Sequence, residues 1–574
     1  MLTPEYRRKV WSVAIFLGLA GIFEVIGLAS VGPLLQAISA GSLPTRIPLF
    51  KFQIAGTELD PIVTYGIFSL ALVALSTLFS ILSIVITYKL AFSIGRLLTH
   101  KIYMSVLSAN PIKIRAHGSS TLIKLITQDA NFRTVHSVLV SGLMVFAKSF
   151  LAMFVVISLL FIDVKITLSA FLLFGTTYSL IYLVIKKRLS ILGKTISTTS
   201  SRLISNLSDC VGAIREIYVW GRARRVLKEF DEIVSKHNES QFSFNWIAQT
   251  PKYLVEGVTF SVLIIFCVAT YFINGSSEWL VSKLTIFAIA GYRLLPAIQQ
   301  VFLCFSSVTA HEDAVYSIQD FFKDFGTAQT LPPQIKGYVL EESIKLDNVT
   351  IVYGGNKALD SLSLEIRKGE KVAFIGPSGG GKTTCLNVLL GLQPPSSGEV
   401  LLDGKSIATV GHEKWAQSCS LVSQEIFVLD ASINENVCFF SDTLDALKLQ
   451  HALRDAEIDF LDSSTPIGVG GTSLSGGQRQ RIGIARALYK ECTLLALDEA
   501  TSALDNLTEE KVLKALLSKP SDKAIVMTLH RLHNLPLFDK VFVFDAGRLE
   551  AVGTPAEISN ISPVYRKLVG VTEH

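Results

Sequence analysis

Gly376-Pro377-Ser378-Gly379-Gly380-Gly381-Lys382-Thr383 fits the phosphate-loop pattern G-x-x-x-x-G-K-[ST]. The stretch lies between an apolar run that reads as a strand, Lys371–Ile375, and a segment with helical periodicity. In this setting the glycines let backbone N–H groups turn inward around phosphates, and the N-terminus of the next helix adds its dipole. We expect Lys382 to reach the outer phosphates and the Thr383 hydroxyl to bind Mg2+. The predicted nucleotide-binding residues here are Gly376, Ser378, Gly379, Gly380, Gly381, Lys382, Thr383 and Thr384.

Two adjacent carboxylates end an apolar strand further along the chain. Leu494–Leu497 is followed by Asp498 and Glu499, at the strand end where a parallel sheet places its ligand-binding groups. We expect Asp498 to bind Mg2+ and Glu499 to orient or deprotonate the attacking water. Paired acids after a strand also serve as helix caps, and it is the upstream phosphate loop that favours the catalytic interpretation.

The first part of the chain is apolar enough to lie in a membrane. The 574 residues are 49% hydrophobic, with a mean hydropathy of +0.45, which is high for a soluble protein. Several apolar runs reach the roughly 20 residues that a helix needs to cross a hydrocarbon core. The six predicted spans are Val10–Leu35, Pro61–Tyr88, Val138–Ile162, Thr167–Ile185, Tyr253–Ile273 and Leu280–Leu303.

A change of pattern separates this apolar part from a second domain. A charged stretch with Pro332 and Pro333 leads into apolar strands, such as Ala524–Thr528, that alternate with amphipathic helices. This rhythm is typical of an α/β domain with a largely parallel sheet. The sequence therefore predicts a six-helix, all-α membrane domain over residues 1–310, a linker over 311–340, and an α/β P-loop ATPase domain over 341–574.

The charges predict the orientation in the membrane. Two long connections, Lys89–Val135 and Lys186–Lys252, are basic, and Arg7, Arg8 and Lys9 precede the first span. By the positive-inside rule these regions are cytoplasmic, which also places the ATPase domain in the cytoplasm. We expect a multi-pass protein of the bacterial inner membrane. The net charge of +5 is too small over this length to indicate a nucleic-acid partner.

The stretch Leu474-Ser475-Gly476-Gly477-Gln478 completes a set of motifs that resembles the ABC transporter ATPases. The motifs follow one another over the whole C-terminal domain, in the order that the family shows. In chain order they are Tyr353, the phosphate loop, Gln424, the signature Ser475, Gly476, Gly477 and Gln478, the pair Asp498 and Glu499, then Asp505 and His530.

The resemblance implies a role for each of these residues. Tyr353 is expected to stack on adenine, and Gln424 to bind Mg2+ and connect the attacking water to the membrane domain. Asp505 is expected in a loop that faces the second chain, and His530 at the γ-phosphate. Single positions have simpler explanations: Tyr353 also fits an ordinary strand aromatic, and His533 a surface histidine.

In this family the signature of one chain closes over the phosphate loop of another, so one copy of each motif implies two chains. Because every catalytic element is intact, we expect a homodimer with two composite ATP sites. One position departs from the exporter pattern T-x-V-G-[ED]-x-G, because Val469 replaces the acidic residue. We expect the contact of that loop with the partner's membrane domain to be altered.

The layout of six spans with two long cytoplasmic connections resembles the ABC exporters. That resemblance implies short coupling helices near Ser108–Ser119 and Val211–Trp220. Three stretches, Phe23–Leu28, Pro251–Glu256 and Gly291–Pro296, look like the bacterial flippases of lipid-linked oligosaccharides. The expected cargo is an amphipathic lipid-linked saccharide, with a peptide, another lipid or a hydrophobic small molecule as alternatives.

Three ionisable residues fall near the middle of predicted spans: Glu24, Lys148 and Arg293. Such a group costs on the order of 2.5–3.5 kcal/mol in a membrane helix and usually faces a cavity or a partner. One explanation is a structural ion pair among the three. The other is a substrate path for an anionic group, with Pro296 kinking its helix nearby. A soluble ABC ATPase is excluded by the six spans, and an ATP-gated channel or regulator stays as a competing class.

Overall fold

The computed structural model describes residues 4–31, 34, 53–54, 57–58, 61–161, 163–274, 278–328, 330–331, 337–459, 462–464, 466–468, 474–518 and 522–572. The chain divides into two compact units. The first, here called the helical unit, comprises Met1–Ala109 and Lys113–Leu331. The second, here called the α/β unit, comprises Asn110–Ile112 and Pro332–His574. The division falls within the predicted linker, whose first part continues a helix.

Long helices build the helical unit, and in the described residues they lie at the positions of the six predicted spans. They are α1 (Pro4–Ala29), α2 (Pro61–Ser108), α5 (Ser141–Leu160), α6 (Val164–Gly212), α8 (Ala223–Asn274) and α9 (Glu278–Phe325). A π-helical segment, Leu125–Val140, runs into α5. The short elements are β1 (Gln53–Ile54), β2 (Thr57–Glu58), α3 (Pro111–His117), α4 (Ser119–Lys124) and α7 (Ile214–Val219). Of these, α3 and α7 fall where coupling helices are predicted.

Most of the two basic connections consists of helix that continues from the spans. With 48 residues, α2 is about 72 Å long at 1.5 Å per residue, whereas a hydrocarbon core is roughly 30 Å thick. Within the described residues, four stretches are long and apolar enough to cross a membrane. These are Pro4–Gly27, Ile62–Ser108, Ser119–Leu160 and Leu294–Phe325.

Apolar side chains both hold the helices together and cover their outer surface. Val13 and Leu17 of α1 pack with Leu90 and Ile94 of α2 in one buried cluster. Elsewhere apolar side chains lie on the outer surface, and Val184 of α6, for example, is 79% exposed. Large exposed apolar surfaces of this kind are unfavourable in water but suit contact with lipid.

A close approach of two backbones joins α6 to α9. A Cβ atom added at Gly193 would lie 1.8 Å from the carbonyl oxygen of Ala310. Only a residue without a side chain fits such a contact. The two helices therefore touch at their main chains.

Buried charges fix the π-helical segment against its neighbours. Arg133 donates to Asp129 at 2.8 Å and to Asp313 of α9 at 2.5 Å. Lys124 lies 3.6 Å from Asp129 and donates to the hydroxyl of Ser197 in α6 at 2.9 Å. Buried ions are tolerated only when they are paired and hydrogen-bonded, as these are. The basic connection identified in the sequence thus neutralises part of its own charge inside the fold.

The described residues of the α/β unit form two sheets. One has six strands in the order β12-β11-β5-β10-β9-β8, all parallel except β12, and the other is antiparallel in the order β4-β3-β6-β7. The strands are β3 (Ser343–Tyr353), β4 (Asn356–Arg367), β5 (Lys371–Ile375), β6 (Ser397–Leu402), β7 (Lys405–Ser406), β8 (Cys419–Val422), β9 (Leu494–Asp498), β10 (Ala524–Thr528), β11 (Lys540–Asp545) and β12 (Arg548–Gly553).

Helices surround these sheets and connect the strands. They are α10 (Lys382–Leu389), α11 (Ile407–Val410), α12 (His412–Ser418), α13 (Ile433–Cys438), α14 (Ala446–Asp455), α15 (Gly476–Tyr489), α16 (Asn506–Leu517), α17 (Pro555–Ile561) and α18 (Pro563–Thr572). A 3-10 turn spans Leu532–Leu537. The predicted α/β architecture with a largely parallel sheet is confirmed.

The parallel sheet is buried on both faces. In β5, Val372 and Phe374 pack into one apolar core, while Ala373 and Ile375 pack into the other. Successive residues of a strand point to opposite faces, so a strand covered on both sides reads as a continuous apolar run. The carboxyl ends of β5, β9 and β10 lie side by side, and this edge carries the predicted catalytic residues.

Candidate ATPase site

The phosphate loop begins where β5 ends and closes at the first residue of α10. Gly376 has a φ of +141°, and a Cβ atom there would lie 2.2 Å from the carbonyl oxygen of Phe544. Gly381, immediately before the helix, has a φ of +103°. Both conformations are open to glycine and strained for other residues. The glycine spacing that identified the loop is therefore a requirement of its backbone.

Lys382 lies inside this loop. Its ammonium donates to the carbonyl oxygens of Gly376 and Pro377, each at 2.9 Å, and only 6% of the residue is exposed. Burial lowers the pKa of the Lys382 ammonium, while the nearby carboxylates of Glu499 and Asp498 act in the opposite direction. The loop thus holds a cation at the place where phosphates are expected.

Asp498 is held at the end of β9 by two hydroxyl groups. The Thr383 hydroxyl donates to Asp498 Oδ1 at 3.2 Å, and the Thr528 hydroxyl donates to the same oxygen at 2.9 Å. Carboxylate and hydroxyl oxygens are the donors that Mg2+ prefers. The residues present therefore fit the ion, with Thr383 and Asp498 as the pair that would bind it and Gln424 beside them at Glu499.

The three predicted catalytic residues meet at the side chain of Glu499. Gln424 Nε2 donates to Glu499 Oε2 at 2.8 Å, and His530 Nε2 lies 2.5 Å from Glu499 Oε1. Glu499 itself has a φ of +51°, a strained value for a residue with a side chain. Strain of this kind is common at functional positions, where the surrounding structure holds a residue in a backbone conformation that it would otherwise avoid.

The sequence analysis missed two residues that support this part of the site. The Thr528 hydroxyl accepts from the backbone N–H of Glu499 at 2.7 Å while it donates to Asp498. Gln480 of α15 donates to the Ser502 hydroxyl at 3.0 Å and accepts from the backbone N–H of Ala503 at 2.8 Å. The available signal for Thr528 was its place at the end of a strand that pairs with β9, where it lies opposite Asp498.

The signature forms the start of α15. The Ser475 hydroxyl accepts from the backbone N–H of Gln478 at 3.2 Å, and the Gln478 side chain accepts from the backbone N–H of Ser475 at 2.8 Å, a reciprocal cap. Gly476 and Gly477 follow, and Gly477 packs against Ala503 so closely that a Cβ atom would lie 2.9 Å from its carbonyl oxygen. Within the described chain, no hydrogen bond joins the signature to the phosphate loop.

Other predicted positions lie in the α/β unit without a described contact to this site. Tyr353 ends β3 with 46% of its surface exposed. Asp505 caps α16, and a hydrogen bond from the backbone N–H of Thr508 lowers the pKa of its carboxyl. His533 is exposed in the 3-10 turn. Val469, where the chain departs from the exporter pattern, lies outside the described residues.

The helical unit places two of the three predicted membrane charges around one cavity. Glu24 of α1 and Lys148 of α5 both line a cavity of about 540 Å3, together with Tyr292 and Pro296 of α9. The side chain of Arg293 lies outside the described part of the chain.

A phosphate loop after β5 and a carboxylate pair after β9 define the α/β unit as a P-loop ATPase domain. In the same chain it follows a unit whose helices can cross a membrane. The family described as "ABC transporter" matches residues 359–502 of this chain. The α/β unit therefore carries an ABC transporter ATPase domain, in a chain whose described helices include stretches long and apolar enough to cross a membrane.

Two curated relatives align with less than half of this chain. The mycobactin import ATP-binding/permease protein IrtB of Mycolicibacterium thermoresistibile is 40% identical over 222 residues, which is 38% of each chain. The ATP-dependent lipid A-core flippase of Neisseria meningitidis is 36% identical over 255 residues, 42% of this chain and 41% of that one. The chain thus matches about two fifths of these relatives' length.

Two comparisons extend over the whole chain. The ATP-dependent lipid A-core flippase of Albidiferax ferrireducens is 28% identical over 585 residues, 98% of this chain and 96% of that one. The solved structure of a bacterial Atm1-family ABC exporter with ATP bound covers 99% of this chain and 98% of that one, with a TM-score of 0.78 and 19% identity. This likeness confirms the fold predicted from the sequence.

Proposed function

We propose that two copies of the chain form an ATP-driven exporter that moves a lipid-linked oligosaccharide from the cytoplasmic to the outer side of the membrane. The observation that carries this proposal is the meeting of Gln424, Glu499 and His530 beside the phosphate loop. A carboxylate held between an amide and an imidazole is placed to orient an attacking water and take its proton.

In this proposal the other residues of the site bind different parts of the nucleotide. Lys382 offers positive charge to the outer phosphates, and Tyr353 offers its exposed ring to adenine. Thr383 and Asp498 would hold Mg2+, which neutralises phosphate charge when it is bound. Asp505 caps its helix in the loop that the resemblance assigns to the facing chain.

The separation of the signature from the phosphate loop supports dimerisation. Ser475 and Gln478 of the signature bond to each other, and among the described residues the signature makes no hydrogen bond to the phosphate loop. A second chain, placed in reverse orientation, would bring its signature over the nucleotide. ATP would then clamp two ATPase domains together, and the coupled membrane domains would turn outward until hydrolysis resets them.

The cargo is inferred from the cavity in the helical unit. Lys148 lines a cavity that also contains Glu24 and whose apolar walls include Leu17, Leu151 and Ala297. A lysine beside apolar walls suits an amphipathic lipid with an anionic group, such as the diphosphate of a polyprenyl-linked saccharide. Two relatives are named as flippases of a lipid. An exported peptide, another lipid or a hydrophobic small molecule are the alternatives.

Reconstitution in liposomes tests the proposal. Full-length protein should show ATPase activity that a polyprenyl-diphosphate oligosaccharide stimulates, and it should move that lipid across the bilayer only with ATP. The variant Glu499→Gln serves as the control that is inserted and binds ATP but does not turn over. If the saccharide lipid neither stimulates nor crosses, the cargo is wrong, and the same assay is repeated with peptides and other lipids.

The same liposomes separate the competing classes. A channel or regulator would show ion flux that follows the gradient without matching hydrolysis. An importer, the activity in the name of the mycobacterial relative, would move its substrate toward the side that holds the ATPase domains. Movement away from that side, in proportion to ATP consumed, is the result expected of an exporter.

A further inference from the structure

A second cavity in the helical unit has no part in the function described so far. It has a volume of about 270 Å3 and lies among α6, α8 and α9. Ligand pockets commonly measure roughly 300–1,000 Å3, so this one suits part of a substrate and not a whole lipid. Its polar side chains are Tyr178, Gln249, Lys252, Tyr253, Gln299 and Gln300.

The hydroxyl group of Tyr178 is the unusual feature of this cavity. The residue is only 7% exposed, and its hydroxyl oxygen is buried with no hydrogen-bond partner among the described residues. Buried hydroxyl groups nearly always have a hydrogen-bond partner, because a buried hydroxyl without one destabilises the folded protein. One turn further along α6, the Tyr182 hydroxyl does have such a partner, because it forms a hydrogen bond with the Thr309 hydroxyl at 3.0 Å.

Three amide side chains line the same cavity as Tyr178. Gln299 is 8% exposed, and its Nε2 donates to Glu256 Oε1 of α8 at 3.1 Å, which fixes the orientation of the amide. Gln249 and Gln300 add further amides to the same wall. Amide and phenol groups both donate and accept, as the hydroxyl groups of a carbohydrate do. Among the described lining residues only Lys252 carries a formal charge, and the carboxylate of Glu256 lies behind Gln299.

This cavity adjoins the one that contains Lys148. Pro296 and Gln300 of α9 line both of them. In the predicted topology Lys252 is at the cytoplasmic end of its span, whereas Lys148 is near the middle of its own. A molecule that enters from the cytoplasm would therefore reach the amide-lined cavity before the cavity that contains Lys148.

We propose that the cavity of Tyr178 binds hydroxyl groups of the substrate's carbohydrate headgroup, and that the Tyr178 hydroxyl determines specificity for them. This inference rests on the proposed function, because it assigns part of that substrate to a subsite. The charged part of the lipid would bind in the neighbouring cavity at Lys148. The amides of Gln249 and Gln299 would complete the hydrogen bonds to the headgroup.

The test compares two lipids that differ only in their hydroxyl groups. Full-length protein in liposomes is given polyprenyl diphosphate with and without an attached saccharide, and the half-maximal concentration for ATPase stimulation is measured for each. The native chain should prefer the saccharide lipid. The variant Tyr178→Phe should reduce that preference by about two- to tenfold, the loss expected for one neutral hydrogen bond.

Tyr182→Phe is the matched control on the same helix. It removes a hydroxyl that already has a protein partner, so it should lower the unfolding temperature and leave the preference unchanged. Gln249→Leu tests the same subsite with a second variant, in case Tyr178→Phe fails to fold, and it should also reduce the preference.

The outcomes separate the two proposals. If the native chain, Tyr178→Phe and Gln249→Leu all show the same preference, the headgroup subsite is wrong and the Tyr178 hydroxyl binds water instead. That result would leave the proposed transport of the saccharide lipid unaffected. If the native chain responds to neither lipid, the proposed cargo fails and the subsite fails with it.

Discussion

The substitution Thr528→Val should slow ATP hydrolysis although Thr528 is not expected to touch the nucleotide. Valine has nearly the same shape, but it loses the bond to the backbone N–H of Glu499 at 2.7 Å and the bond to Asp498 at 2.9 Å. Hydrogen bonds to charged groups contribute about 1.5–3 kcal/mol. Since each 1.36 kcal/mol is tenfold in rate, we expect the maximal rate to fall by about ten- to hundredfold.

The measurement is steady-state ATPase activity of the reconstituted protein over a range of ATP concentrations. The KM for ATP should change by less than about threefold, because Lys382 and the loop remain in place. Thr528→Ser, which keeps the hydroxyl, should retain most of the rate.

Thr501→Val is the control for a simple loss of stability. The Thr501 hydroxyl is buried and donates to Glu509 at 2.8 Å, away from the reacting groups. It should lower the unfolding temperature without a comparable loss of rate. If the two valine variants lose activity equally, or if Thr528→Val retains the full rate, the positioning role assigned to Thr528 is wrong.

Three further predictions follow from described contacts. Glu499→Gln should bind ATP but lower hydrolysis by about hundredfold or more, measured as nucleotide binding against phosphate release, and near-normal turnover would contradict its role as base. Ser475→Ala and Lys382→Ala should each be nearly inactive alone, whereas mixed dimers, which contain one intact composite site, should recover activity; no recovery would argue for a site within one chain. Gly193→Ala should cost about 1–3 kcal/mol of stability through overpacking, read as a lower unfolding temperature, while Gly142→Ala on an open helix face should not.

Local patterns were enough to predict the architecture. The strand–loop–helix around Lys382 was found because glycine spacing is dictated by the backbone of the loop itself. The apolar runs of the membrane part were equally clear, since a bilayer requires a continuous stretch of apolar helix. In both cases the information lies within about 25 consecutive residues, so no knowledge of distant partners was needed.

Contacts between distant segments were beyond the reach of the sequence. Nothing in the local pattern shows that Thr528 lies opposite Asp498, because strand order decides it. In the sequence Arg133 belongs to a basic connection, and only the fold brings Asp313 to it from 180 positions away in the chain. The cavity of Tyr178 likewise forms only when α6, α8 and α9 pack.

The contact at Gly193 has a mechanical consequence for transport. Helices whose main chains touch cannot slide or separate without losing that fit, so α6 and α9 should travel together as one stiff element. Tyr178 and Gln299 belong to this element, whereas Gln249 comes from α8. If α6 and α9 move together, a change in the shape of that cavity requires displacement of α8 relative to this pair.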